Sequence, residues 1–267
     1  MNQDNIYKLR SVLQEILDEF AAFCGRNNLT YFITAGTLLG AARHRGFIPW
    51  DDDIDIAMPR EDYEKFLFLF NKEKSDNYYL LSRLNPDKTG ERFISFAKMC
   101  KKGTLYAEGH MRSERYSGIF IDIWPFDTCV LFFLPLQAGL IKLFISLYRF
   151  KIKAHVPRGR IKYFLSKIIC LILPLDFMEW SQKRLCLLFS NHKKEYLSFF
   201  SGKYGYKKET HKYNTVFPLI KITFESKEYW APGNWDKFLG NLYGNYMEIP
   251  PVEKRKSHNP KFLEFGQ

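Results

Sequence analysis

The stretch from Tyr31 to Arg60, YFITAGTLLGAARHRGFIPWDDDIDIAMPR, puts a glycine-containing turn, a basic loop and four nearby carboxylates in one line. Within Asp53-Ile54-Asp55-Ile56, polar and apolar residues alternate with period two. A strand here sends Asp53 and Asp55 to one face and both isoleucines into the core on the other. Two carboxylates on one rigid face can chelate a divalent cation. Mg²⁺, with Mn²⁺ as a substitute, suits hard oxygen ligands and combines one or two protein carboxylates with phosphate oxygens of a substrate. Calcium fits less well. Asp51, Asp53 and Asp55 have the 1, 3, 5 spacing of an EF-hand loop, but Ile56 stands where that loop needs glycine and Asp62 where it needs a bidentate glutamate. The bland alternative is a solvated acidic turn. Against it, Ile48-Pro49-Trp50 and the alternating isoleucines set the run beside a core.

Upstream, Thr30 to Thr34 reads as a short strand, Ala35-Gly36-Thr37 as a tight turn, and Leu38 to Arg43 as the start of a helix. Gly36 would let the backbone approach a phosphate, Thr37 would cap the helix, and the helix N-terminus would add donors and positive potential. Arg43 and Arg45, between this turn and the aspartates, are candidates to neutralise a pyrophosphate, and His44 to line the loop. Gly118 to Asp127 gives a hydrophobic strand interrupted by Asp122 and closed by Pro125, with Asp127 in the turn that follows. A lone Asp in such a run is costly unless it is paired, hydrogen-bonded or metal-bound, so Asp122 is either the third carboxylate of the site or a core-bonded residue. Asp52 and Lys98 complete the candidate substrate-binding set of Gly36, Thr37, Arg43 and Arg45. Lys98, Lys101 and Lys102 read equally well as a solvated basic edge.

The run Ala35 to Ala41, then Arg43 through Asp55, then Arg60-Glu61-Asp62-Tyr63, resembles the signature of the LicD family, to which fukutin-type proteins are related. The similarity continues through Ile121 to Phe126 and returns at Tyr243 to Pro251, while about Thr128 to Tyr213 carries little of it. The resemblance implies an α+β, nucleotidyltransferase-like mixed sheet with flanking helices. It further implies metal-dependent transfer of phosphocholine, or a related phospho-alditol, from a CDP-linked donor such as CDP-choline to a cell-surface glycan or glycolipid. Lipopolysaccharide, capsule and teichoic acid are the acceptors in view. On this reading Asp53, Asp55 and Asp122 hold Mg²⁺, and Asp122 is the candidate to take the proton of the attacking hydroxyl. Two other classes stay open: a true nucleotidyltransferase releasing pyrophosphate, and a non-catalytic glycan- or membrane-binding protein. A choline group would need aromatic faces. Trp50, Tyr106, Tyr116 and Trp124 lie near the motifs, but aromatics make up 17% of the chain and most belong to the core by default.

A chain of 267 residues with 46% hydrophobic content can bury a full core. We expect one elaborated domain: residues 1–127 as the catalytic core with an N-terminal helix, 128–200 as a helical basic insertion, and 201–267 completing the catalytic part. The N-terminal helix carries Leu9, Val12, Leu13, Ile16, Leu17 and Phe20 on one stripe and lacks a signal-peptide core. Arg60 to Asn71 reads as a helix with Tyr63, Phe66, Leu67 and Phe70 inward, and Tyr78 to Leu84 and Arg92 to Cys100 as strands. Five scattered cysteines give no disulfide framework or zinc pattern, which fits a cytoplasmic protein. From Thr128 to Leu175 there is no Asp or Glu, while Lys142, Arg149, Lys151, Lys153, Arg158, Arg160, Lys162 and Lys167 supply most of the net charge of +11. Its apolar runs, Val130 to Ile141 and Ile168 to Leu175, are too short or interrupted to span a bilayer. They suit peripheral contact with an anionic membrane on the inner face, or a solvated helical cap. Nothing accompanies this charge that signals nucleic acid.

Overall fold

A computed structural model describes residues 3–87, 92–107, 116–153, 155–157, 159–255, 257 and 260–266. The chain runs α1 (Gln3–Arg26), β1 (Phe32–Ile33), α2 (Ala35–His44), β2 (Asp55–Pro59), α3 (Arg60–Glu73), β3 (Tyr78–Leu81), β4 (Ala97–Lys101), β5 (Leu105–Ala107), β6 (Tyr116–Ser117) and β7 (Phe120–Cys129). Three helices follow, α4 (Leu134–Lys151), α5 (Arg160–Ile172) and α6 (Leu175–Cys186). The last part is β8 (Tyr196–Ser198), β9 (Thr210–Lys212), α7 (Tyr213–Val216), β10 (Ile220–Phe224), β11 (Lys227–Ala231), α8 (Trp235–Tyr243), a 3₁₀ turn at Val252–Lys254 and β12 (Phe262–Glu264). The fold is α+β. Its main sheet has the order β1-β2-β7-β4-β3, with β8 joined to β7 and β9 to β8. Among the described residues, only β2 and β7 pair in parallel there.

The ten-residue β7 is the spine of the sheet. Its first half pairs with β4, its middle with β2 and its end with β8. β7 therefore runs through the 127/128 junction, and α4 to α6 lie between its end and its partner β8. Pro125 sits inside this strand instead of closing it. Asp122 N donates to Ile54 O, so by alternation the Pro125 nitrogen faces the other edge, where β4 has already begun at Ala97 opposite Ile123 and offers no partner.

The periodicity of α1 holds: Leu9, Leu13, Ile16, Leu17, Phe20, Phe23 and Cys24 are buried. Each such apolar side chain contributes about 1.5–3 kcal/mol on burial. Phe20 and Phe23 meet Phe66 of α3 edge-on, with ring centroids 5.1 and 5.5 Å apart. Helix α3 buries the expected Tyr63, Phe66, Leu67 and Phe70. The strands after it are shorter than their hydrophobic runs, because the loop between β3 and β4 leaves the sheet at Ser82. Smaller apolar clusters hold α4, α5 and α6 together. No helix among the described residues is long and apolar enough to cross a membrane.

Candidate active site

Parallel pairing of β2 and β7 sets Asp55 directly beside Asp122. The strand begins at Asp55, so Asp53 lies in the extended approach to it, yet the alternation survives: Ile54 and Ile56 are fully buried while Asp53 and Asp55 are partly open. Asp55 is held from three directions. Its N–H donates to Thr37 Oγ1 at 2.8 Å, its carbonyl accepts from Thr34 N at 3.1 Å, and Trp124 Nε1 donates to its Oδ1 at 2.8 Å. Thr37 is thus not a cap. Helix α2 starts at Ala35 with Thr34 in the cap position, and Thr37 is buried one turn in, where its hydroxyl serves β2. Gly36 leaves room for the Asp51 carboxylate, since a Cβ there would lie 2.8 Å from Asp51 Oδ2.

The acidic loop is fastened by residues far away in sequence. Arg10 of α1 donates to the carbonyls of Ile48 at 2.8 Å, Pro49 at 3.0 Å and Asp51 at 2.9 Å. Asp52 is buried and accepts from Ser257 Oγ at 3.0 Å. Trp50 lies under two guanidinium groups, Arg255 at 4.4 Å and Arg43 at 5.9 Å. Arg43 does not line the cavity: its Nη1 donates to Tyr246 O at 2.9 Å and ties the C-terminal segment to α2. Arg45 is the left-handed C-cap of α2, exposed and also outside the cavity wall. His44 bonds Arg43 through its ring nitrogen, and burial with the neighbouring guanidinium lowers its pKa.

Lys98 stands opposite Asp122 across the β4–β7 pair, with Nζ 3.5 Å from Asp122 Oδ1 and 3.4 Å from the Phe120 ring centroid. It is 5% exposed, so it is no solvated edge residue. The other two lysines of that stretch are engaged elsewhere, Lys101 with Glu15 and Lys102 with the Ser75 carbonyl. Asp127 belongs to β7 and not to a turn. It is buried against Arg60, whose Nε and Nη2 donate to its two carboxylate oxygens at 2.7 and 3.0 Å. Burial pushes the Asp127 carboxyl up, and the charge and hydrogen bonds of Arg60 oppose that.

These groups surround a cavity of about 650 Å³ lined by Gly36, Asp51, Asp52, Asp53, Asp55, Asp122 and Lys98. Much of the remaining wall is aromatic, with Lys203 and Lys254 also reaching it. Trp124 packs on Phe96 with centroids 4.1 Å apart and on Phe199 at 4.6 Å, and Tyr204 meets Tyr243 at 5.3 Å. Trp50 and Tyr106 also reach the cavity, whereas the side chain of Tyr116 lies outside the described residues. Among the described residues no three His, Cys, Asp or Glu side chains form a ready-made metal-binding group. The donor set still suits a cation that draws part of its shell from substrate: Asp53 and Asp55 offer hard oxygens at the cavity wall, while Asp122 faces the Lys98 ammonium.

Sequence reasoning missed Arg10, Ser257 and Glu209. Glu209 lines the same cavity, 7% exposed, accepts from Tyr204 N at 3.1 Å, and has its carboxyl pushed up to about 6 by burial. No local signal marks it, because Lys207-Lys208-Glu209 reads as a solvated charged loop. Arg10 reads as the polar side of an amphipathic helix.

Comparison with known proteins agrees with the motifs. Residues 28–130 match the model of the LicD/FKTN/FKRP nucleotidyltransferase domain. Over 260 residues, 93% of each chain, the sequence is 28% identical to the lipopolysaccharide cholinephosphotransferase LicD of Haemophilus influenzae. An uncharacterized protein of Rickettsia typhi is 29% identical over 123 residues, 46% of this chain and 34% of its own. One from Caenorhabditis elegans is 39% identical over 70 residues, 26% and 18% respectively. The matched domain holds the acidic loop, β2 and all of β7, and the Haemophilus relative extends the similarity over nearly the whole length, so the chain is similar to LicD proteins both in this domain and beyond it.

Proposed function

We propose that this protein transfers phosphocholine from a CDP-linked donor to a glycan of lipopolysaccharide type. The observation that carries the reading is the composition of one cavity, with Asp53, Asp55, Asp122 and Lys98 on one side and the Phe96, Trp124 and Phe199 rings beside them. Aromatic faces attract a quaternary ammonium, which can make no conventional hydrogen bond. Asp53 and Asp55 would hold Mg²⁺, which when bound neutralises the donor pyrophosphate and stabilises the departing CMP. Trp124 fixes the orientation of the Asp55 carboxylate through its indole N–H. Lys98 sets a buried cation beside the phosphoryl group, and the N-terminus of α2 at Ala35-Gly36 adds amide donors.

The acceptor hydroxyl must lose a proton. Asp122 is one candidate to take it, but its Oδ1 faces Lys98. Glu209 is the better proton acceptor, because a carboxyl near 6 is ionised at neutral pH yet basic enough to take a proton in the transition state. Five free thiols fit a cytoplasmic enzyme acting at the inner face of the membrane.

The test is to incubate the purified protein with CDP-choline, CDP-ethanolamine, CDP-glycerol and CDP-ribitol, with Mg²⁺, with Mn²⁺ and with EDTA, and to measure CMP. CMP release from CDP-choline that EDTA abolishes is the expected result. Pyrophosphate as the product, from a nucleotide triphosphate, would make it a nucleotidyltransferase. No turnover of any donor, with tight glycan binding, would make it a binding protein.

A further inference from the structure

Helix α5 is amphipathic in the wrong sense for a folded protein. At 100° per residue, Ile161, Phe164, Leu165, Ile168, Leu171 and Ile172 fall on one stripe, and all six are exposed, Ile161 at 78%, Leu171 at 79% and Ile172 at 75%. The helix buries none of its residues fully. Its orientation is nonetheless fixed. Cys170 on the opposite side, with Ile169 at the flank, packs on the cluster around Leu147 and Tyr148, and Lys151 Nζ donates to the carbonyls of Cys170 at 2.8 Å and Leu173 at 2.5 Å. The apolar stripe is therefore held outward from the helices below it and has no cover from the described chain.

Charge identifies what covers it. Arg160, Lys162 and Lys167 of the same helix are exposed and flank the stripe, Lys142, Arg149 and Lys153 of the preceding segment are exposed too, and no acidic residue occurs between Thr128 and Leu175. A second copy of the chain docked face to face would set these cations against their own counterparts. A flat surface that is apolar below and anionic above complements both features at once.

We infer that α5 is an interfacial helix that seats the enzyme on an anionic lipid bilayer, with Phe164, Leu171 and Ile172 in the acyl boundary and Arg160, Lys162 and Lys167 at the headgroups. Arg158, also part of this basic stretch, lies outside the described residues. The proposal does not depend on which group the enzyme transfers.

The experiment is co-sedimentation of the full chain with vesicles of phosphatidylglycerol and phosphatidylcholine in equal parts, and with phosphatidylcholine alone, over a range of salt. The parent should partition onto the mixed vesicles and weaken as salt rises. Replacing Arg160, Lys162 and Lys167 by Gln should cut that partition by roughly a hundredfold, since each cation near such a surface is worth on the order of 1 kcal/mol. Phe164→Ser, Leu171→Ser and Ile172→Ser together should cut it at least tenfold at every salt concentration, with the melting temperature unchanged because the removed side chains are exposed. CMP release with a water-soluble acceptor should persist in both variants. A parent that stays in the supernatant overturns the inference, as does equal sedimentation of parent and variants. So does a parent that is dimeric in solution and becomes monomeric in the apolar variant, for then the occupant is a second copy.

Discussion

Asp122 and Asp127 lie five residues apart on β7, and each faces a cation, but the two pairs are built differently. Asp127 meets Arg60 through two parallel bonds, and its side chain is 3% exposed. Asp122 meets Lys98 at 3.5 Å through one oxygen, on the cavity wall, with 16% of its side chain exposed. A forked guanidinium fixes its partner and uses up both carboxylate oxygens; an ammonium is a point charge that can swing to another anion. The first pair closes the sheet against α3, and the second lies on the cavity wall. Identical residues on one strand thus differ by the shape of the partner and the access of solvent.

The largest effect should come from the chemical side. Asp55→Asn keeps an oxygen for the Trp124 N–H but removes a charged ligand, so turnover should fall on the order of a thousandfold with the melting temperature kept. Asp122→Asn belongs to the same class. Loss of folding without loss of turnover per folded molecule in Asp122→Asn would erase the distinction from Asp127.

Next comes the structural side. Asp127→Asn removes the two-bond partner of Arg60 and leaves it only the Glu64 contact at 3.2 Å, so it should cost about 3 kcal/mol in urea unfolding, while turnover per folded molecule remains near that of the parent. Unchanged stability would mean that the forked pair does not secure α3 to the sheet.

A third buried carboxyl sharpens the contrast. Glu209 has no ion-pair partner among the described residues, and burial alone raises it from 4.5 to about 6. A raised carboxyl makes the folded state bind its proton more tightly, so folding stability should fall by about 2 kcal/mol as pH rises through that window. Turnover should rise over the same window, because the base must be ionised. Glu209→Gln should remove both effects and lower turnover at neutral pH by roughly a hundredfold. A pH profile unchanged by the substitution would return the base role to Asp122 or to solvent.

The placement of the motif aspartates was legible because it is local. A period-two pattern gives Asp53 and Asp55 their common face whether the strand starts at Asp53 or at Asp55, and a single Asp in an apolar strand marks position 122. What escaped depends on pairings between distant segments. Pro125 looks like a stop until β4 is known to begin beside Ile123, and Asp127 looks like a turn residue until Arg60 is brought against it. Arg43 and Arg45 look like phosphate ligands because they precede the aspartates, yet a helix that ends at His44 turns one toward Tyr246 and the other to solvent. Glu209 and Arg10 are ordinary charged residues until the fold closes around them.

The same dependence on distant segments sets a timetable for the newly made chain. The acidic loop is synthesised early, but the contacts of Tyr246 with Arg43, Arg255 with Trp50 and Ser257 with Asp52 come from residues translated some 200 positions later. A ribosome that has already released β2 and β7 into the cytoplasm holds every motif aspartate and no finished cavity. The cavity wall is thereby left unfinished until the final stretch emerges, so a nascent or prematurely terminated chain would carry every motif aspartate without the contacts that fasten the acidic loop.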